Sequence, residues 1–169
     1  MPVVLRGEGV IAKNSSVGVG LMVLAVSGCD APPQGEGRSV IAGFSGPDIV
    51  RVLNAEQVAL GKQVYDGHCA RCHGDSGQGD PAWRQPGADG LYPPPPLDGS
   101  GHSWHHSTAW LKDMIRNGSP PGKGNMPAWG DTLSDEEIDA VIAWFQSRWP
   151  DPVYAAWYEN QHRGRGGVQ

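Results

Sequence analysis

Hydrophobic residues along the chain come in bunches, and each bunch has its own period. Val17 to Val26 (VGVGLMVLAV) is an apolar run too short to span a bilayer as a helix, which takes about 20 residues. From Asn54 the spacing turns helical. Asn54 is a good N-cap with Gln57 as box partner, and Val58, Val64 and Tyr65 form one apolar side with Leu60 close by. Gly67 predicts that this helix ends there or turns directly into the next segment. Ser107 opens a second helix, in which Trp110, Leu111, Met114 and Ile115 keep the three-four spacing. Asn117-Gly118 supplies its stop, and Pro120 and Pro121 forbid continuation. The clearest pattern comes last. Ser134-Asp135-Glu136-Glu137 is a capping box with an acidic first turn, and Ile138, Val141, Ile142, Phe145 and Trp149 then recur on one face. Pro150 and Pro152 are expected to end that helix.

Between the helices the chain is rich in turn formers. Residues 30–53 carry Pro32, Pro33, Gly35, Gly37, Gly43, Gly46 and Pro47 and follow neither the helical nor the strand period. They read as a flexible tether, with Val40-Ile41 and Ile49-Val50 resting on the domain; a coil of that length spans roughly 25–30 Å. Residues 74–101 form a long loop ending in four stiff, extended prolines, 93–96, and residues 119–131 (SPPGKGNMPAWGD) form another. In the tail, 151–169, Tyr154, Trp157 and Tyr158 suit a short helix, and 163–167 should be disordered. Strand-type alternation fails everywhere outside the first apolar run, so the fold reads as all-α, a few helices joined by long loops.

A loop as long as 74–101 counts against a compact domain unless it wraps something apolar. Cys69-Ala70-Arg71-Cys72-His73 supplies the candidate. CxxCH is the spacing of c-type haem attachment. Each thiol adds across one vinyl group of the porphyrin, and the adjacent imidazole lies under the iron as an axial nitrogen. One short helical turn brings both sulfurs and the ring to one side. A zinc site would need two more ligands at matching spacing, and no second CxxC exists. A thioredoxin-like redox motif would need a βαβ setting, which this Gly- and Pro-rich context lacks. One covalent haem c is therefore expected, with Trp83, Tyr92 and Leu97 of the loop packed on it.

Charge and the first thirty residues point outside the cytoplasm. Arg6 and Lys13 supply the positive segment before the apolar run, so residues 1–28 read as a secretory signal. Val26-Ser27-Gly28-Cys29 resembles the bacterial lipoprotein cleavage box, which would make Cys29 a lipidated N-terminus; ordinary signal cleavage nearby is the alternative. With Cys69 and Cys72 taken by haem, Cys29 has no disulfide partner, and lipidation explains an exported lone thiol. Asp30 resembles the signal that retains some lipoproteins at the inner membrane. The formal charge is −5, and −6 once Arg6, Lys13 and Glu8 leave with the signal. This acidic balance argues against nucleic acid and suits a partner with a positive docking patch.

Iron bound by His73 takes a second axial ligand. Met114 sits on the apolar side of a predicted helix, an ordinary place for methionine. Met126 sits in a loop before Pro127 and is the better candidate. Over residues 54–150, the pieces YDGHCARCHGDSGQGD, PPPPLDG and MPAWGDTLSDEEIDAVIAWFQSRWP resemble a class I, single-haem cytochrome c domain. The resemblance implies that the first and last helices cross near the haem. It implies that a proline carbonyl in a Pro-x-Leu segment, Pro95-Pro96-Leu97, accepts a hydrogen bond from the axial histidine; four prolines leave the register open by one residue. It also implies haem attachment on the periplasmic side. The domains expected are a signal 1–28, a tether 29–53, the cytochrome domain 54–150 and an extension 151–169. The function expected is a carrier of single electrons, not an enzyme, tethered by Cys29 to the periplasmic face of the inner membrane. Its donor would be a quinol-oxidising complex or a dehydrogenase, its acceptor a terminal oxidase or reductase. The alternatives are a haem subunit of a larger oxidoreductase, or metal handling at His102, His105 and His106. For that cluster the competing readings are a solvated loop beside the haem edge, or one histidine bonding a haem propionate.

Overall fold

The computed structural model describes residues 37–41 and 49–162, all within one packed unit. Their order is β1 (Gly37–Ile41), β2 (Ile49–Leu53), α1 (Ala55–His68), α2 (Ala70–His73), a 3₁₀ turn (Ser103–His105), α3 (Thr108–Asn117), α4 (Asp135–Ser147) and α5 (Asp151–His162). The signal segment, Cys29 and residues 163–169 lie outside the described residues.

Three helices begin on the side chains expected to cap them. Asn54 Oδ1 accepts from the Gln57 amide at 2.8 Å, and Ser107 Oγ accepts from the Trp110 amide at 3.1 Å. Ser134 and Glu137 close a reciprocal capping box at α4. Each cap satisfies an amide that has no partner inside its helix and contributes about 1 kcal/mol. The core lies where α1 packs against α4. Tyr65 and Ile138 have no exposed surface, and the Tyr65 and Trp144 rings meet at 4.0 Å. The helices touch backbone to backbone at Gly61: a Cβ there would overlap the Ala140 carbonyl and stand 2.8 Å from Trp144 Cβ.

The structure corrects the sequence reading at both flanks of this core. Residues 37–41 and 49–53 are not structureless tether; they pair antiparallel, with Val40 opposite Val50. Alternation failed there because it is inverted. Ile49 and Arg51 point inward, while Val50 and Val52 are exposed. Arg51 is 5 % exposed. Its guanidinium donates to the carbonyls of Trp149 at 2.9 Å and Gln146, pairs with Asp151 at 3.2 Å, and lies 4.6 Å from the centre of the Tyr154 ring. A cation thus adds a charged donor to the carbonyls where α4 ends, the favourable end for positive charge. At the other flank, Pro150 interrupts the helix, but Pro152 does not: it lies in the first turn of α5, where a missing N–H costs nothing. Tyr154, Ala155 and Trp157 of α5 are buried, so packing extends past both expected boundaries of the domain, 54 and 150.

Candidate haem site

α1 runs to His68, and Cys69 is at once its C-cap and the N-cap of α2. This single turn holds Cys69, Cys72 and His73 together on the wall of a cavity of about 1130 Å³. The His73 ring is buried, and its Nδ1–H donates to the Pro95 carbonyl at 2.9 Å. That bond selects the tautomer whose Nε2 lone pair is available to a metal. Burial also holds the ring below the usual histidine range, with the Pro95 bond opposing, so it stays neutral as a ligand must. The proline register falls on Pro95, and Leu97, half-buried, also lines the cavity. Pro95 is held by what surrounds it. The Gly79 amide bonds the His73 carbonyl at 2.7 Å, and Asp80 N bonds Pro94 O at 2.9 Å. Leu97 N reaches Gly77 O at 2.6 Å, and the Leu97 carbonyl accepts from Trp149 Nε1 at 2.9 Å.

Another part of the lining carries Met126. Its loop hangs from the C-terminus of α3. Ser119 N donates to Met126 O at 2.9 Å, Trp129 N to Ile115 O at 3.0 Å, and Gly130 N to Arg116 O at 3.1 Å. The walls meet where the Trp129 ring stands edge-on to His68 at 5.0 Å, and where Tyr92 bridges to Gly124. Met114 and Phe145 line the cavity too.

Burial pushes the Cys69 thiol up to about 11, with the neighbouring Cys72 adding to the rise. Thiolate exchange is favoured by the opposite shift, so the Cys69 thiol is not poised for it.

Residues 56–145 match the family described as cytochrome c oxidase, cbb3-type, subunit III. The chain belongs to this family of c-type cytochromes. It is 31% identical to the chloroplastic cytochrome c6 of Chlamydomonas reinhardtii over 90% of this chain and 93% of that one. It is 37% identical to the cbb3-type oxidase subunit CcoP of Azospirillum sp. (strain B510), over 56% of this chain but only 29% of the relative. A thiosulfate dehydrogenase of Stutzerimonas stutzeri (strain A1501) is 32% identical over 63% of this chain and 32% of its own length. No solved structure matches the chain.

The cofactor of these cytochromes is covalently attached haem c. The cavity fits it. Its volume slightly exceeds the roughly 300–1,000 Å³ of ordinary small-molecule sites, its lining is mainly apolar, and its donors include two thiols, the neutral imidazole of His73 and the thioethers of Met114 and Met126. Of the aromatic and aliphatic residues expected to pack there, Trp83, Tyr92 and Leu97 all line the cavity, although Tyr92 is 45% exposed.

The three rings of the histidine cluster do not converge on one point. His105 stacks on Trp104 at 3.6 Å, His102 on Trp83 at 5.1 Å and His106 on Trp110 at 3.6 Å, so the three rings have separate partners. Among the described residues no three His, Cys, Asp or Glu side chains are placed to hold a metal ion. Only His102 and His106 line the cavity. Arg51 and Trp129 escaped the sequence reading. Arg51 sat in a segment read as tether, and Trp129 had as its only signal an aromatic in the MPAWGD loop.

Proposed function

We propose that this cytochrome is a membrane-tethered carrier of single electrons, with haem held by thioethers from Cys69 and Cys72 and ligated by His73 and Met126. The observation that carries this reading is a His73 ring oriented by Pro95 in a mainly apolar cavity that the Met126 loop also lines. When bound, the haem supplies the change between Fe(II) and Fe(III). The chain does the rest. Pro95 orients the imidazole and strengthens it as a ligand. Met126 would offer the iron a thioether, which would favour the reduced state and leave no site for a substrate. The apolar walls exclude water and raise the cost of ferric charge.

Similarity to CcoP and to a thiosulfate dehydrogenase supports redox proteins as partners: a quinol-oxidising complex or dehydrogenase as donor, a terminal oxidase or reductase as acceptor. The second reading, a haem subunit of a larger oxidoreductase, is favoured by the same relatives, of which this chain spans about a third. Among the described residues no helix is long and apolar enough to cross a membrane. In this reading lipidated Cys29 anchors the protein at the periplasmic face of the inner membrane.

Two experiments test the proposal. Met126→Ala should abolish the red absorption band of sulfur ligation in the oxidised protein, open the iron to carbon monoxide and lower the midpoint potential. Met114→Ala should keep the band and cost about 2 kcal/mol, the low end for a methionine that is only half-buried. The reverse pattern would exchange the two methionines. Carbon monoxide binding by the unmutated reduced protein would favour the oxidoreductase subunit. For the anchor, Cys29→Ser should release the protein from membranes or leave it unprocessed. Lipid burial contributes about 0.8 kcal/mol per CH₂, so the wild type should resist a high-salt wash. Its release by salt would exclude the lipid.

A further inference from the structure

The charges of the molecule are sorted by place. The chain as a whole is acidic, at −5. The charged side chains that line the haem cavity are Arg71, Arg84 and Lys123 against a single carboxylate, Asp89, so this region is locally basic. Arg71 comes from α2, Arg84 from the 74–101 loop and Lys123 from the 119–131 loop. All four residues are exposed. A residue that lines a cavity and also stays exposed stands at its mouth. Four cations elsewhere are neutralised by carboxylates: Arg51 by Asp151, Lys62 by Asp66, Lys112 by Asp139 and Arg116 by Asp135. None of those four lines the cavity. Among the described residues, no carboxylate pairs with Arg71, Arg84 or Lys123, so the charge of the mouth is left for something outside it.

The same mouth carries aromatic surface. Tyr92 is 45% exposed and Trp110 39%. The Arg84 guanidinium lies 4.3 Å from the centre of the Trp83 ring, and Tyr92 N donates to the Lys123 carbonyl at 3.1 Å, so cations and rings are interleaved. Trp, Tyr and Arg are the residues that dominate protein–protein contacts, whereas Lys, Glu and Asp prevail on surface that only meets water.

We propose that the cavity mouth is the surface on which a redox protein docks, and that this partner presents an acidic patch around an apolar centre. The inference rests on the electron-carrier reading given above. Electron transfer weakens steeply with distance, so a partner must approach where the walls leave the cavity open. Net charge points the other way, to a partner with a positive patch, but net charge is the wrong quantity at close range. At 0.15 M ionic strength charges are screened beyond about 8 Å. A partner at the mouth therefore meets Arg71, Arg84 and Lys123 rather than the carboxylates of remote faces.

The acidic remainder has a use in this arrangement. A basic mouth on an otherwise acidic molecule is a charge asymmetry, which turns the mouth toward an acidic partner and disfavours approach from the other faces. The cations steer and orient, and the rings supply contact area. Each encounter moves one electron, from a reduced donor to the ferric haem or from the ferrous haem to an oxidised acceptor, and no bond forms or breaks.

The test is the rate at which the reduced holoprotein gives its electron to two small probes, hexacyanoferrate(III) as the anion and tris(phenanthroline)cobalt(III) as the cation, at salt from about 0.1 to 1 M. The rate with the anion should fall roughly three- to tenfold as salt rises, and the rate with the cation should rise. The opposite signs would show that net charge governs approach, overturning the proposal while leaving an electron carrier. The haem's own carboxylates take part in this measurement, so a mouth that they neutralise gives no salt dependence and overturns the proposal too. A second readout needs no electron transfer. Hexacyanochromate(III), a paramagnetic anion inert to electron exchange, should broaden the amide NMR signals of Arg71, Arg84 and Lys123 first; broadening centred elsewhere would overturn the proposal. Arg84→Glu with Lys123→Glu should lower the anion rate at about 0.1 M salt roughly tenfold and shift the broadening away. Lys62→Glu, on α1 and outside the cavity lining, should do neither, and an equal effect from it would count against the mouth. Binding of the Cys29→Ser protein to phosphatidylglycerol vesicles, abolished by the same two reversals, would assign the mouth to a lipid surface and overturn the protein partner. Exchange with neither probe would remove the carrier reading and the proposal together.

Discussion

The two walls of the cavity do the same job by different means. On the His73 wall the thiol and imidazole turn is local in sequence, and the loop beside it is held from several sides. Cys69 to His73 form one turn that continues α1, and the ring is tied to Pro95. Pro95 in turn sits in a loop bound back to His73, Gly77 and Trp149. On the Met126 wall a loop hangs from the last carbonyls of α3, those of Ile115 and Arg116, which have no partner within their own helix. Helix ends open more readily than helix centres. Under the proposed ligation the difference teaches which position would be exchangeable: the histidine could not leave without unpacking the loop, while the methionine could leave when one helix end frays.

A matched pair of glycines can break this comparison. Each wall has one at positive φ with main chain where a Cβ would stand. A Cβ at Gly79 (φ 63°) would lie 2.8 Å from the Pro95 oxygen, and one at Gly118 (φ 73°) 2.5 Å from the Met126 oxygen. The backbone strain alone costs roughly 1–3 kcal/mol, and displacement of main chain adds to it, so each alanine should cost more than about 3 kcal/mol. The consequences should differ. Gly118→Ala should weaken the sulfur band and let carbon monoxide in, while Gly79→Ala should keep the band and lower the stability. If Gly79→Ala lost the methionine and Gly118→Ala kept it, the walls would be coupled and the contrast between them false.

Much of both walls was legible in the chain. CxxCH needs its residues adjacent, and the caps at Asn54, Ser107 and Ser134 are single-residue signals with a local mechanism. Met126 stood out because a loop methionine can turn its thioether toward an iron, which a methionine on the apolar side of a helix usually cannot. What escaped was decided by tertiary contact. β2 buries Arg51 and exposes Val50 and Val52, which reverses the pattern that marks a strand. Pro152 reads as a breaker but lies in the first turn of a helix, because only the fold shows that a new helix begins just after Pro150. The separation of the three histidines onto Trp83, Trp104 and Trp110 is likewise invisible to spacing, which brings them all within one turn.

Arg51 sharpens the comparison further, because it backs only one wall. It bonds the Trp149 carbonyl, and the Trp149 ring bonds Leu97 beside Pro95. Arg51→Ala leaves the Gln146 and Trp149 carbonyls without their charged donor. Such bonds are worth roughly 1.5–3 kcal/mol each, part of which water recovers, so a loss of about 3 kcal/mol in denaturant unfolding is expected. The sulfur band should be unchanged. Loss of the band would show that the hairpin supports the methionine wall as well.

The smallest effect separates the two things Arg51 does. Its partner Asp151 is 57 % exposed, whereas the guanidinium is 6 % exposed. An exposed carboxylate keeps its hydration and gains little from the pair, typically under about 1 kcal/mol. The bonds to the carbonyls are different, since both acceptors end a helix and lie in the packed flank. Asp151→Asn should therefore cost less than about 1 kcal/mol, and raising the salt should not widen the gap from wild type. Asp151 also supplies the one acidic residue in the first turn of α5, so a small part of even that loss belongs to the helix terminus rather than to Arg51. The double variant Arg51→Ala/Asp151→Asn isolates the pair. Its stability should lie within a few tenths of a kcal/mol of Arg51→Ala alone, because without the cation the carboxylate has little left to lose. A coupling above about 2 kcal/mol would mean that the ion pair, and not the capping of α4, holds the hairpin behind the His73 wall.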